Sequence, residues 1–334
     1  MKKFLALLLA ATMLLCLTAC GGKQSDDTTD GSGSADTIEL QLGVAQEDTN
    51  PYSQGAYYLS ELVSEKTDGR IKITVYTAGQ LGGEADMTEA VGLGTIDMCL
   101  CSNGPLTNFS ERFSLFDLPY LFTSYEQVDA VLDGEIGAEL MGDLEAINIK
   151  GLSYFENGFR NITNSVREIN TPEDLKGIKL RTMETACHID VFSALGANPT
   201  PMAWGEVYTA LQQKTIDGQE NPLLAIKGNK IYEVNNYLSM TEHVYTPVEL
   251  LMNLDKFNSL SAEDQALLLE CAQEAAVYER GIAREVNSDI QFFIDQGMTI
   301  SYPDKAPFQA IAKTVWDKYT APLGDLVDRV LALA

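Results

Sequence analysis

From Thr37 onward, the apolar residues of this 334-residue chain switch repeatedly between a period of two and a period near 3.6. Side chains alternate across a strand and recur every three to four positions on a helix face, so this switching constrains the fold more than any single residue does. Between Thr37 and Ala45, Ile38, Leu40, Leu42 and Val44 alternate with polar residues and predict a strand. Tyr52–Lys66 sets Leu59, Leu62 and Val63 at helical spacing, and Ile71, Ile73 and Val75 alternate again. A helix near Glu84–Leu93 and a strand at Ile96–Leu100 follow. In the middle, Thr171-Pro172-Glu173-Asp174 has a capping Thr, Pro at the first helical position and acids in the first turn, which together start a helix. Ile178–Arg181 is then a short strand ending in a cation, with helices at about Thr185–Leu195 and Trp204–Gln213. Strands alternating with helices predict an α/β fold whose largely parallel sheet is covered on both faces. One long helical pattern from about Ser261 to Gln296 closes the chain; at roughly 1.5 Å per residue it spans about 50 Å, longer than one small domain. Gly281 weakens it locally and is consistent with either a bend or simple tolerance.

The N-terminus sets the compartment. Lys2 and Lys3 precede an apolar run from Phe4 to Leu17, too short for a stable membrane span, and Leu17-Thr18-Ala19-Cys20 places small residues just before a cysteine. Residues 1–19 therefore read as a signal peptide, and Leu-Thr-Ala-Cys-Gly resembles a bacterial lipobox. In such signals cleavage falls before the cysteine, so Cys20 is expected to carry the lipid and anchor the protein without spanning the bilayer. Residues 20–36 are rich in Gly, Ser, Asp and Thr, with no apolar side chain larger than Ala between Gly21 and Asp36, and are expected to form a flexible tether. The body of about 300 residues is long enough for two domains.

The formal charge is −25, and cleavage before Cys20 removes two lysines and no acid, giving −25 − 2 = −27. That balance argues against nucleic acid as a partner and against docking on anionic lipid by charge. An anionic ligand then needs a local cation to overcome the global field. Cys99 and Cys101 lie two apart in an apolar run and are expected to be small core residues on one side of a strand, not a metal or redox pair. His188 and His243 are the only histidines, so no Cys/His set has metal-ligand spacing. There is no Gly-x-Ser-x-Gly elbow, phosphate-cradling Gly loop or metal-binding histidine pair. No catalytic residue, metal or cofactor is expected, and a secreted enzyme is the weaker alternative.

Several segments, in order, resemble the DctP-like family of TRAP transporter binding proteins. They are Gln80-Leu81-Gly82-Gly83-Glu84, Gly94-Thr95-Ile96-Asp97-Met98, Asp117-Leu118-Pro119-Tyr120-Leu121-Phe122, Arg160 with Thr163-Asn164-Ser165, Asp174–Arg181, Ala197–Met202, Glu206–Gln212 and Asp217-Gly218-Gln219-Glu220-Asn221-Pro222. The last is the most specific. The resemblance implies a periplasmic-binding-protein-like clamshell of two α/β lobes joined by crossing strands and a long helix, with the ligand in the cleft. Lobe I is expected at 37–157 with about 246–286, and lobe II at 158–245 with about 287–334. The implied partners are a small carboxylate ligand and TRAP membrane permease subunits driven by a cation gradient. Service to a sensor receptor is the alternative, which sequence alone does not separate from transport, and a monomer is the default for a tethered clamshell.

Arg181 is the first candidate: a planar guanidinium matches the two oxygens of a carboxylate, and it ends a strand, where open α/β sheets place ligand contacts. The resemblance implies that this arginine makes the salt bridge to the substrate carboxylate and that Asn221 hydrogen-bonds the same group. It makes Arg160 a second arginine near the site, or else a structural arginine tying the domains. Two arginines reaching one ligand favour a dicarboxylate, though polyhydroxy monocarboxylates also suit the family. Trp204 is expected to pack on the ligand, while Glu84 and His243 align with cleft positions and Gln46 opens a polar wall at Gln46–Asn50. Ser102 and Glu184 are expected to tune the ligand, Glu184 opposing a second carboxylate unless bridged or protonated. Glu206 and Glu220 read as residues that hold the fold.

Overall fold

A computed structural model describes residues 37–334; the expected signal peptide, Cys20 and the tether lie outside the described residues. The strands are β1 (Ile38–Gly43), β2 (Ile71–Tyr76), β3 (Met98–Ser102), β4 (Ile149–Phe159), β5 (Asn161–Asn164), β6 (Lys179–Thr182), β7 (Asn198–Pro201), β8 (Gly218–Asn221), β9 (Tyr237–Ser239), β10 (Tyr245–Asn253) and β11 (Thr299–Ser301). They form a five-stranded sheet, β2-β1-β3-β10-β4, and a six-stranded sheet, β11-β9-β5-β8-β6-β7. The fold is thus two α/β lobes.

The parallel expectation fits β1, β2 and β3, and β6, β7 and β8. It does not fit the strands that link the lobes: β10 runs antiparallel to β3 and β4, and β5 antiparallel to β8 and β9. The reason is topological. The chain leaves the first sheet along β4 into β5 and returns along β9 into β10, so the outgoing and returning segments run in opposite directions. At the crossing they bind each other, Arg160 N–H to Val244 O at 2.8 Å and His243 N–H to Arg160 O at 3.2 Å. Gly158 precedes the crossing at φ +109°, and a Cβ there would stand 2.4 Å from Asn287 Nδ2, so only glycine fits.

Each sheet is covered on both faces. Leu40, Leu42, Leu59, Phe155 and Leu250 share one core of the first lobe; Cys99, Cys101, Phe116, Tyr154 and Leu251 share the other. The two cysteines face one side as expected, and burial pushes the Cys99 thiol up to about 12. Ile162, Leu180, Val191 and Phe192 pack one core of the second lobe, and Val207, Leu211, Leu238 and Phe293 the other.

The C-terminal helix differs from its sequence pattern. It runs unbroken through Gly281 from Ala262 to Ser288 and stops at Asp289, whose side chain accepts from Phe292 N–H at 3.2 Å and caps a new helix, Ile290–Asp295. Asn287, at its end, ties the lobes: Nδ2 donates to Asn157 O at 2.9 Å and Oδ1 accepts from Leu224 N–H at 2.9 Å. The tail corrects the expected grouping of 287–334 with lobe II. Phe308 and Ala312 do pack in the second lobe, but Leu323, Leu326 and Val330 return to the core of the first, because they supply apolar side chains to the face beside Phe116 and Leu132.

Glu249 lies mid-strand in β10, opposite Cys101 and Tyr154, fully buried and with neither carboxyl oxygen hydrogen-bonded. Burial, with smaller contributions from Glu84 and Asp117, drives its pKa well above the ordinary carboxyl range. A raised folded-state pKa contributes stability that is complete below the unfolded value and is lost as pH rises. Glu249→Gln removes that loss. In thermal melts its stability relative to wild type should rise by up to about 1 kcal/mol per pH unit above pH ~4.3, and be little changed below it. Parallel melting curves for the two proteins from pH 5 to 9 would contradict a neutral buried carboxyl here.

Candidate ligand-binding cleft

The strand ends of both sheets converge on one cavity of about 390 Å³. The first lobe contributes Gln46 after β1, Glu84 at the first position of the helix Glu84–Leu93, Ser102 at the end of β3 and Asn157 in β4. The second contributes Arg181 from β6, Met183 and Glu184 just beyond it, Trp204 at the start of the helix Trp204–Gln212, and Asn221 at the end of β8. Ligand sites in open α/β sheets lie outside the carboxyl ends of the strands, and this cavity follows that rule on both sides.

Arg181 is 4% exposed. Its Nε and Nη2 donate to Met202 O at 2.9 and 2.6 Å, and its Cζ stands 5.6 Å from the Trp204 ring centroid. Nη1 has no hydrogen-bond partner and no carboxylate forms an ion pair with the guanidinium, among the described residues. Burial, aided by repulsion from Arg160, pulls the guanidinium down to about 10 against the attraction of Glu220, Glu84 and Glu184. It is still a cation at neutral pH. A buried charge without a counter-ion is costly, and a ligand carboxylate offsets that cost.

Asn221 Nδ2 donates to Gln219 Oε1 at 2.7 Å, and Gln219 Nε2 donates to Thr163 Oγ1 at 2.8 Å, which in turn donates to Asn235 Oδ1 at 2.9 Å. This chain orients the amide at the cavity wall. Trp204 packs against a core of each lobe, and its buried Nε1 is unpartnered. Glu84 Oε2 accepts from Ser102 Oγ. Burial raises the Glu84 pKa, opposed by Ser102 and then by Arg181. Glu184 lies at the exposed edge of the cavity, its backbone oxygen accepting from Asn108 Nδ2 at 2.9 Å. Gln46 is buried with Oε1 unpartnered.

Two expected site residues are elsewhere. Arg160 is wholly buried at the strand crossing and does not line the cavity. Its Nε and Nη2 grip the Glu220 carboxylate at 2.5 and 2.8 Å, Nη2 also reaches Glu220 O at 2.6 Å, and Nη1 points to Thr246 Oγ1 at 3.5 Å. Of its two expected readings, this arrangement is that of the structural arginine tying the domains: Glu220 takes the fork that a ligand would need. His243 is also behind the wall. Burial keeps it neutral, so Nε2 donates to Glu220 Oε2 at 3.0 Å and Nδ1 accepts from Thr241 Oγ1 at 2.8 Å. Burial opposes the Glu220 charge, but Arg160, His188 and His243 outweigh it and hold the carboxyl well below its ordinary range. Glu206 differs from its structural reading, being exposed in the first turn of its helix. Asn157, Asp86 and Met183 line the cavity although sequence reasoning missed them; the Asn157 Oδ1 is buried and unpartnered. The one sequence signal for Asn157 is its place beside Gly158 at the end of a long strand.

The lobes also touch beside the cavity: Thr185 Oγ1 donates to Asp117 Oδ2 at 2.6 Å, and Gly104 leaves room for Met183, whose Cε would lie 2.8 Å from an added Cβ.

This fold and cleft define a two-lobed solute-binding protein. The chain belongs to bacterial extracellular solute-binding protein family 7 (DctP), whose model matches residues 42–322, and it is a binding protein and not an enzyme. It is 38% identical over 256 residues to the 2,3-diketo-L-gulonate-binding periplasmic protein YiaO of Escherichia coli, covering 77% of each chain. It is 30% identical over 269 residues to the C4-dicarboxylate-binding protein DctB of Bacillus subtilis, covering 80% of this chain and 77% of that one. Among solved structures, the sugar acid binding protein DctPAm of Advenella mimigardefordensis in complex with galactonate superposes with a TM-score of 0.86 at 33% identity, over 89% of this chain and 98% of that one. A TRAP periplasmic solute-binding protein of Polaromonas bound to D-erythronate gives 0.85 at 36% identity over the same shares.

Glu220→Ala should leave the Arg160 cation buried and unpaired, costing about 3–5 kcal/mol. Denaturant unfolding measures this directly, and a loss below about 1 kcal/mol would contradict the structural role of the pair.

Proposed function

We propose that the protein is the lipid-anchored receptor of a TRAP-type importer, and that it captures a small sugar acid by pairing the ligand's carboxylate with Arg181. The observation that carries this reading is a buried guanidinium, facing a cavity of about 390 Å³, with no carboxylate partner among the described residues. Arg181 Nη1 and Asn221 form one end of the site, and Trp204 gives it an apolar wall. Because Arg160 is committed to Glu220, one carboxylate is anchored, not two. The similar proteins that bind galactonate, D-erythronate and 2,3-diketo-L-gulonate all take monocarboxylates, which favours this ligand class over a C4-dicarboxylate.

On this reading the ligand enters between open lobes, 37–157 with 246–286 on one side and 158–245 with most of 287–315 on the other. It shifts the equilibrium to the closed form by binding that form better. Closure removes water and strengthens the ion pair. The closed form, a monomer tethered through Cys20, then docks on the permease. The anchor rests on the Leu17-Thr18-Ala19-Cys20 motif.

Arg181→Gln tests the reading by calorimetry and melting together. Affinity for the sugar acid should fall at least about 100-fold, since truncating one partner of a buried charge pair costs 2–5 kcal/mol. The ligand-free variant should melt at or above the wild-type temperature, because an uncompensated buried charge has been removed. Unchanged affinity would sink the anchor, and a large loss of ligand-free stability would make Arg181 structural.

A further inference from the structure

We propose that His188 is a proton-controlled latch between the lobes: protonated, it joins Asp117 of the first lobe to Glu220 of the second and favours the closed form. The inference rests on the reading that the lobes close on a ligand, and not on the role of Arg181.

The ring belongs to the helix Ala186–Ala194 of the second lobe and is 1% exposed. Its Nε2 stands 3.7 Å from Asp117 Oδ1, and its Nδ1 stands 3.8 Å from Glu220 Oε1. Neither nitrogen has a hydrogen-bond partner among the described residues. Buried polar groups normally find partners, and here each nitrogen is about 0.8 Å beyond an ordinary hydrogen bond to a carboxylate. Asp117 ends the short helix Ser114–Asp117 and is itself buried. It already holds the start of the His188 helix across the lobe boundary. Its Oδ2 accepts from Thr185 Oγ1 at 2.6 Å, and its backbone O accepts from Cys187 Sγ at 3.4 Å. Asn103 Nδ2 donates to Oδ1 at 2.7 Å and keeps the carboxylate aimed.

The proton count decides how many contacts the ring can make. A neutral imidazole has one N–H, and an imidazolium has two. Only the cation donates to Asp117 and Glu220 together; the neutral ring turns a lone pair on one of them. Two buried carboxylates favour the cation, while burial and Arg160, which is locked to Glu220, oppose it. Of the other groups around the ring, His243 is neutral and donates to Glu220, and Arg181 attracts Glu220 without contact. Lys318 and Tyr319 of the tail engage Asp190, and burial keeps the Cys187 thiol protonated. Asp117 is therefore the one first-lobe charge within 4 Å of the ring, among the described residues. Closure that draws Asp117 onto the ring takes up a proton. The gain in the closed form is complete at acid pH and is lost as pH rises through the histidine range.

Calorimetry and small-angle X-ray scattering at pH 5.5 and pH 8 test this, with a panel of D-galactonate, D-erythronate and D-glucuronate. Wild type should bind a panel acid about three- to tenfold more tightly at pH 5.5, and its ligand-free radius of gyration should be smaller there. His188→Gln keeps a donor and an acceptor but has no titratable proton, so it should lose this response. Asp117→Asn should lose it too, by removing the first-lobe charge, and melting curves confirm that both variants fold. Glu84, whose pKa is raised by burial, is present in all three proteins and cancels in the comparison. A pH response retained in full by either folded variant, or absent from wild type in both readouts, overturns the inference. The two failures separate. If saturating ligand contracts wild type while affinity and ligand-free radius ignore pH, the lobes close without His188. If ligand binds with no contraction at either pH, closure itself fails and the latch with it. If no panel acid binds, the ligand-free radii decide alone.

Discussion

The Arg160–Glu220 ion pair is the constraint around which the centre of the molecule is organised. It is wholly buried where the chain passes between the lobes, bidentate, and backed by His243 and Thr246. A pair of this kind adds little net stability over an apolar substitute, but losing one member leaves a charge with no solvent. Its consequence lies one residue further along β8 and across in β6. Glu220 makes its ion pair with Arg160 and attracts Arg181 only without contact, so the second buried guanidinium is left facing the cavity. One arginine has its carboxylate within the chain, and on the proposed reading the other takes its carboxylate from the ligand.

Global and local electrostatics then divide the work. A formal charge of −25 repels anions at long range, and screening confines that field to the surface. Inside the cleft Arg181 is the one cation among the described lining residues, set among Glu84, Asp86 and Glu184. The lobes meet beside this site through Thr185–Asp117 and Asn108–Glu184. On the proposed reading, closure on a ligand draws on these protein contacts as well as on the ion pair.

Much of this architecture was legible in the sequence. Strict alternation in Ile38–Val44 and Ile71–Val75, and the capped or acidic helix starts, reported local structure that packing then retained. Arg181, Asn221, Trp204, Glu84, Glu184, Ser102 and Gln46 all line the cavity, because residues at strand ends and helix starts are placed by topology. What was not legible depended on long-range partners. Whether Arg160 faced ligand or protein turned on Glu220, sixty positions away in sequence, and His243 was decided by the same carboxylate. The periodic pattern from Ser261 to Gln296 continues past Asp289, so it concealed a break made by one side-chain cap. The return of Leu323, Leu326 and Val330 to the first lobe left no periodic signal at all, since a few apolar residues fit either core.

The most direct measurement is a crystal structure of the protein bound to a sugar acid drawn from the binding panel. A ligand carboxylate oxygen is expected about 3 Å from Arg181 Nη1, with Asn221 in hydrogen-bond reach of the same group. A carboxylate lying against the first-lobe wall, with Arg181 still bonded to Met202 O alone, would contradict it.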